Sequence, residues 1–565
     1  MRAIRTPGGP RIVALAGYCL ISFLYFGLRL LVEPGQHYIG VSDDPQIPIW
    51  SFAWWPHAVF HGINPFVAHV IWSPPGVDLA WANTLPPVAL ALSPVTWAAG
   101  PVAAYNVAAI ILPALSAWTA FLLCRHLTHR LWPSLLGGYL FGFSSYVLGH
   151  LAGQPQLTAV FCLPLVALFV LRFVEGGLSG KGLALRLGLV LGLQFYLALE
   201  VAFSVTLALV CALVLAVLFV PDRRRRVVAA LRPILAAYGI AVVIAAPLVY
   251  YALTNLRRTG FTPPQDYVAD LLNFVLPSHV EAAGAGWTQA LHYAANDTEQ
   301  GAFLGPLLVL VWLFAWQRRR RPGSRFLVAC FVLAAYASLG PKLIVAGHSL
   351  IPLPTVFGHD SVTLPVVGTK SLSIFNNTLP ARFAVYTSLT AAVAAAVWTA
   401  SRRGGALTWA LPAASVLLLF PNPTTWTTRY SIPAFFTSAR YRPCLPAGAN
   451  VLPEPVGSGG ESNLWQVADA FRFRMAGGRL QTSPPSVFLH PPATAQISVG
   501  YPPVRNQAQL LRAYARRWGV TDAIVDPRQA SIWTPALDRI ATPHELGGII
   551  LYPLSGQLPP GCPTS

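Results

Sequence analysis

The sequence predicts a polytopic α-helical membrane protein that ends in a small α/β domain, and three observations lead there. Of the 565 residues, 55% are hydrophobic and 10% charged, with a mean hydropathy of +0.54. Soluble domains carry about 25% charged residues, so water is not the main solvent of this chain. Apolar runs of roughly 17 to 25 residues, long enough to cross the hydrocarbon, recur from Ile12 to Phe420. After them the composition turns polar and Pro-rich. Two domains follow: residues 1–421, a transmembrane unit with extra helices within 33–101, and residues 422–565, a soluble unit.

The first span is Ile12 to Val32, preceded by Arg2, Arg5 and Arg11. It is too long for a signal peptide and lacks a small-residue cleavage site, so it is retained. Further spans fall near 102–124, 133–149, 155–174, 183–200, 201–220, 233–253, 301–317, 325–340, 383–400 and 405–421, about eleven in all. The stretch 84–99 is apolar but short and broken by proline, and reads as a re-entrant or interfacial helix. Residues 47–62 (IPIWSFAWWPHAVFHG) carry Trp50, Trp54 and Trp55, whose indoles suit the headgroup layer, so this helix is expected along the membrane surface. In the soluble part, 450–452, 523–526 and 549–552 read as strands. Residues 507–518 have helical apolar spacing. A small α/β domain without a Gly-rich phosphate loop or a nucleophile motif results.

A net charge of +18 and a pI near 10.0 would suggest nucleic acid in a soluble protein. Here the arginines lie between apolar spans, at Arg125/Arg130, Lys181/Arg186, Arg223–Arg226, Arg318–Arg321 and Arg402/Arg403. That is the pattern of cytoplasmic loops under the positive-inside rule. Assigning loops this way places 20 Lys/Arg and 2 Asp/Glu inside and leaves 18 of each sign elsewhere. The excess charge therefore encodes topology, and a nucleic-acid partner is not expected. The N-terminus is placed in the cytoplasm, and the long loops 33–101, 254–300 and 341–382 face outward with the C-terminal domain.

Cys19, Cys124, Cys162, Cys211 and Cys330 fall in apolar spans, where thiols behave as small buried hydrophobes. Cys444 and Cys562 bracket the C-terminal domain and could pair in an oxidising compartment. No Cys/His spacing of a metal site occurs.

Acidic side chains in outward loops are the candidates for chemistry. Asp43 and Asp44, in SDDPQIPIW, open the first such loop. A carboxylate just outside the bilayer can take the proton of an attacking hydroxyl and can also help hold a divalent cation. Asp before Pro is equally ordinary turn chemistry. Glu200, in LALEVAFS, sits between two spans with almost no loop, where an ionisable group tends to face a cavity or a partner. Its plainer reading is a helix-start acid. His150 and Gln154, in GHLAGQPQ, and Arg382, in LPARF, mark two more outward span ends. Arginine holds phosphate through paired hydrogen bonds, but at a span end it is often a snorkelling anchor. Asp266, Asp270, His279, Glu281, Asp297 and Glu299 populate the second outer loop, and a solvated charged face would account for them as well.

An acidic first-loop motif, a Trp-rich helix, about a dozen spans and a C-terminal soluble domain resemble the GT-C superfamily of membrane glycosyltransferases. The text DDPQIPIWSFAWWPHAVFHGINP, GHLAGQPQ, LPARF and LWQVADAFRFRMAGG is similar to bacterial and actinobacterial membrane proteins labelled YfhO-like. The similarity covers most of the chain in short patches. It implies a bacterial plasma-membrane location and a polyprenyl-phosphate sugar donor. It implies a glycan, lipid or protein acceptor, and a first-loop acid as base: Asp44, with Asp43 second. A strict Asp-x-Asp metal motif is absent. In this scheme Arg382 and His150 hold the phosphate, with Glu200 and Gln154 lining the donor site. Two alternatives stand beside it. A transporter or flippase of lipid-linked sugars would show internal repeats and broken midplane helices, which the sequence lacks. A non-catalytic envelope scaffold would tolerate changes in its outer carboxylates.

Overall fold

The computed structural model describes the chain apart from residues 1–8, 83, 255–266, 289–290, 292, 294–295, 341, 353–378, 403–404, 425, 457–458, 481–483, 504 and 564–565. Of the groups singled out above, Arg2, Arg5, Asp266, Arg403 and the Asp297 side chain lie outside the described residues.

Apolar chain in hydrocarbon has to satisfy its backbone N–H and C=O groups internally, and it does so by coiling. The main helices are α1 (Gly9–Val32), α2 (Gln46–Phe60), α3 (Pro101–Thr128), α4 (Leu131–Gly153), α5 (Pro155–Val174), α6 (Gly180–Leu197), α7 (Leu199–Phe219), α8 (Pro221–Ile244), α9 (Pro306–Gln317), α10 (Pro322–Ser338), α11 (Pro380–Ser401) and α12 (Ala406–Leu418). Seven of these, α1, α3, α4, α5, α7, α8 and α11, are long and apolar enough to cross a membrane, and α9, α10 and α12 are shorter apolar helices. The protein is integral to the membrane. Small residues set its closest packing, as lipid-embedded helices require. A Cβ on Gly142 of α4 would stand 2.4 Å from the Cβ of Ala117 on α3, and one on Gly188 of α6 would stand 2.9 Å from the Ala237 carbonyl on α8.

Helix α3 has 28 residues, about 42 Å at 1.5 Å per residue, and its two ends differ in chemistry. At its start, Tyr105 donates to the Ile39 carbonyl (2.8 Å) and Asn106 Oδ1 accepts the Ile39 amide (2.9 Å), which pins the first loop. At its far end, His126 meets Glu175 at 2.7 Å, Glu175 meets Arg223 at 3.4 Å, and Arg130 donates to the Arg402 carbonyl. The basic turns thus share one end of the bundle, and the first loop occupies the other.

Strand β1 (His37–Ile39), after α1, pairs antiparallel with β2 (Thr427–Arg429), after α12. Beyond it a five-stranded sheet forms from β3 (Asn450–Glu454), β4 (Arg474–Met475), β5 (Asp522–Val525), β6 (His544–Leu546) and β7 (Ile549–Pro553), in the order β6-β7-β5-β3-β4. Strand β3 runs parallel to β4 and β5. Helices α13 (Ser462–Ala468) and α14 (Gln507–Trp518) flank the sheet, and a Cys444–Cys562 disulfide joins residues 118 apart.

The indoles of helix α2 face the protein interior instead of the headgroup layer expected of them. Trp50, Trp54 and Trp55 are all buried within the protein, at 0%, 2% and 3% exposure. An indole N–H needs a partner once buried, and the chain supplies two: Trp50 donates to Gln466 Oε1 of α13 (2.7 Å) and Trp54 to the Pro65 carbonyl (3.0 Å). Aromatic content alone could not distinguish an interfacial helix from one roofed by the C-terminal unit. The stretch 84–99 forms two short helices, Pro86–Ala91 and Ser93–Ala99, packed against α2 and α3.

Candidate active site

Three helix termini bring Glu200, Arg382, His150 and Gln154 together. Ala198 is extended (φ −162°), which breaks α6 from α7 and leaves Glu200 in the first turn of α7, where the helix dipole favours a carboxylate. Pro155 follows Gln154 and ends α4, while Pro380 starts the 3-10 turn that carries Arg382 into α11. A fifth member, Glu299, arrives on a single 3-10 turn, Asp297–Glu299.

Arg382 is the hub. Its Nε donates to both oxygens of Glu299 (3.0 and 3.2 Å), Nη2 donates to Glu299 Oε1 (2.5 Å) and Gln154 Oε1 (2.9 Å), and Nη1 meets Glu200. His150 donates through Nδ1 to the Tyr146 carbonyl (2.8 Å) and presents Nε2 3.4 Å from Glu299. Glu299 and His150 are fully enclosed, and Arg382 and Glu200 nearly so. Burial pushes the Glu299 carboxyl up, but the Arg382 guanidinium and then His150 outweigh it and hold it down at about 2. Four of the five guanidinium N–H groups are committed to protein partners, so this arginine as it stands is a lock between loop and helices.

Asp43 and Asp44 form a second, more open assembly. Their carbonyls accept the amides of Gln46 (3.2 Å) and Ile47 (3.1 Å), so both acids stand at the N-terminus of α2. Facing them is Arg479, whose Nη2 lies 2.6 Å from Asp44 and whose Nη1 lies 4.0 Å from Asp43; Asp43 also accepts the Gly459 amide at 2.8 Å. Side-chain exposures are 21% for Asp44, 40% for Asp43 and 30% for Arg479, so solvent and solutes reach all three. The sequence reading passed over Arg479. The available signal was Gly477–Gly478 just before it: a Cβ on Gly478 would lie 2.3 Å from Ile71, so this turn is built for close approach to the first loop.

The two assemblies adjoin through the first loop. The Val41 amide donates to the Ala152 carbonyl (2.7 Å), and a Cβ on Gly153 would sit 2.7 Å from Thr298 and 3.2 Å from the Ser42 hydroxyl. One turn of backbone therefore separates the loop of Asp43/Asp44 from the enclosed cluster of Arg382.

The remaining outer-loop groups serve the loop itself. Asp270 accepts amides from Leu272 (2.9 Å), Ala346 (3.0 Å) and Gly347 (2.8 Å). His279 offers its backbone carbonyl to Asn422 (2.9 Å). Glu281 accepts the Ser278 amide and hydroxyl, both at 2.9 Å; burial raises its carboxyl to about 7, against the hydrogen bonds of Ser145 and Ser278. Among the described residues no three His, Cys, Asp or Glu side chains gather as a metal site.

Residues 14–420 match the family model described as a domain of unknown function, DUF6311. No curated protein matches the chain by sequence. Among solved structures, the mycobacterial arabinofuranosyltransferase AftD aligns with a TM-score of 0.56 at 14% identity, over 99% of this chain and 42% of that one. ArnT from Cupriavidus metallidurans, bound to undecaprenyl phosphate, gives 0.49 at 11% identity over 97% and 98%. The oligosaccharyltransferase AglB from Archaeoglobus fulgidus, in complex with an inhibitory peptide and a dolichol-phosphate, gives 0.43 at 11% identity over 96% and 74%. These are GT-C glycosyltransferases, and the alignment with AftD makes the fold of this chain a GT-C membrane fold, as the first-loop resemblance implied. The chain spans less than half the length of AftD.

Proposed function

The chain belongs to the DUF6311 family and carries the GT-C membrane fold, and we propose that it is a glycosyltransferase that moves a sugar from a polyprenyl-phosphate carrier to an acceptor outside the cell. The observation that carries this reading is the solvent-reachable Asp43/Asp44 pair at the α2 N-terminus, faced by Arg479. Both sit at the bundle end opposite the arginine-rich turns. In this reading that end is extracytoplasmic, the N-terminus is cytoplasmic, and residues 422–565 form a domain that roofs the site.

Asp44 is the base. The acceptor hydroxyl gives its proton to the Asp44 carboxylate as its oxygen bonds to the anomeric carbon. The bond from that carbon to the phosphate oxygen breaks, and the phosphate leaves with the electron pair. Charge gathering on the leaving phosphate needs a fixed cation, and Arg479 is the exposed guanidinium beside the base. Exchange of Arg479 from Asp44 to the donor phosphate would both hold the donor and free the base. Arg382, with Glu299, Glu200, His150 and Gln154, holds the loop that carries Asp44 in place.

The test is transfer from polyprenyl-phosphate hexoses and pentoses by the protein in liposomes, read as release of polyprenyl phosphate. Wild type should release it, and Asp44→Asn should not while keeping the wild-type melting temperature. Equal turnover by the Asn variant would leave Asp44 without the role given to it.

A further inference from the structure

A cavity of about 730 Å³ lies between α5, α7, α10 and α11, far from the acids of the first loop. Its wall on α11 runs from Phe383 to Val397 and on α10 from Pro322 to Ala337, about 20 Å at 1.5 Å per residue. The lining is mostly apolar along this length, and the charged lining residues are Glu175, Asp222, Arg223, Arg318 and Arg321, all at the basic end. Three arginines against two carboxylates leave one positive charge there. Glu175 is taken up by Arg223 at 3.4 Å and His126 at 2.7 Å. No carboxylate among the described residues lies within ion-pair reach of Arg318 or Arg321, and partial burial, followed by the nearness of Arg321, lowers the pKa of Arg318 from its ordinary value. Two like charges beside an apolar hollow call for an anion between them.

Helix α9 fixes the depth of this mouth. Trp312 and Trp316 stack at 6.2 Å, are 61% and 58% exposed, and precede Arg318 by less than two turns; Arg319 lies 4.6 Å over the Trp316 ring. Exposed indoles and arginines at a helix end mark the level of lipid headgroups. A ligand pocket of about 300–1,000 Å³ is usually apolar with a few convergent polar groups, and this one is shaped for a chain with a charged head.

We propose that the cavity is a binding site for an anionic phospholipid, with the phosphodiester between Arg318 and Arg321 and an acyl chain running toward Phe383. The single net positive charge matches the single negative charge of a phosphodiester. The mouth stands at the end of α3 opposite the proposed donor site, so this lipid is not the sugar carrier.

Native mass spectrometry of the full-length protein in detergent, titrated with phosphatidylglycerol, tests the site. Phosphatidylglycerol should bind wild type more tightly than phosphatidylcholine. Arg318→Ala/Arg321→Ala should weaken it about thirty-fold, since each basic group near a lipid surface contributes about five-fold. Ala212→Phe, which fills the hollow from α7 without touching a charge, should weaken phosphatidylglycerol as well. Arg224→Ala/Arg225→Ala, outside the lining, should leave affinity at the wild-type level. Equal binding of the two lipids, or equal losses for the lining and non-lining arginine pairs, would overturn the proposal by reducing it to surface charge. Displacement of phosphatidylglycerol by undecaprenyl phosphate at equal affinity would overturn it by giving the cavity to the sugar carrier.

Discussion

Two arginine–carboxylate assemblies occupy the same end of this bundle, and they differ chiefly in burial. Around Arg382 the carboxylate partners are enclosed or nearly so: Glu299 is 0% and Glu200 16% exposed, and the guanidinium, bonded to three side chains, is 14% exposed. Around Arg479 the partners are 21% and 40% exposed, and each contact is a single point of attachment. An enclosed pair is costly to break, because the survivor is left as a buried unpaired charge. An exposed pair contributes little and can exchange. The same residue types thus give a lock in one place and an exchangeable contact in the other.

The comparison can be broken or sharpened by four experiments, from the largest expected effect to the smallest. If the open assembly holds the base, Asp44→Asn lowers transfer by about 10²- to 10⁴-fold, the usual contribution of a positioned base, with thermal stability unchanged; an active variant breaks the contrast at once. If the enclosed assembly is a lock, Arg382→Met costs about 3–5 kcal/mol, read by thermal unfolding in detergent, and an unfolding midpoint near wild type removes that role.

Glu299 and Glu281 sharpen the point, since both are enclosed and only Glu299 has an arginine. Glu299, held at about 2, contributes stability that is present above its ordinary value of 4.5 and lost as pH falls toward 2. Glu281, raised to about 7, works in the other sense: its contribution is complete below 4.5 and is lost as pH rises through 7. That loss is about 3 kcal/mol. Glu281→Gln should flatten unfolding stability between pH 4.5 and 7, and an unchanged pH profile would show that the carboxyl titrates normally. The smallest effect belongs to Arg479→Ala. It should cost less than about 1 kcal/mol of stability while weakening donor binding, and a loss of several kcal/mol would make it a second lock.

Much of this was legible in the sequence because hydrocarbon permits few solutions. Long apolar runs had to become helices, and the placement of arginine between them foretold that Arg130, Arg223 and Arg402 would share one end. Glu200, Arg382, His150 and Gln154 were each visible as a polar group at a span terminus, where placement at a helix end narrows what a side chain can reach. Their mutual contact was not legible, and neither was Glu299 as its centre, since it lies in a loop whose acids all look alike until the fold encloses one of them. Arg479 escaped for a different reason. Its meaning depends on a docking between residues 435 positions apart, and nothing local reports a contact of that range. The burial of the α2 indoles was not legible because the cover provided by Gln466 and Phe471 comes from the same distant region.

The short ladder between His37–Ile39 and Thr427–Arg429 imposes an arithmetic on the whole membrane region. Strands that share hydrogen bonds cannot lie on different sides of a bilayer, so the chain between Ile39 and Thr427 must traverse it an even number of times. Among the described residues, six long and three short apolar helices lie in that interval. If each traverses once, parity demands a tenth, and among the described residues Gly180–Leu197 is the remaining helix of suitable length despite carrying Lys181 and Arg186. A reporter fused at Ser179 and another at Ala198 should therefore be found in different compartments.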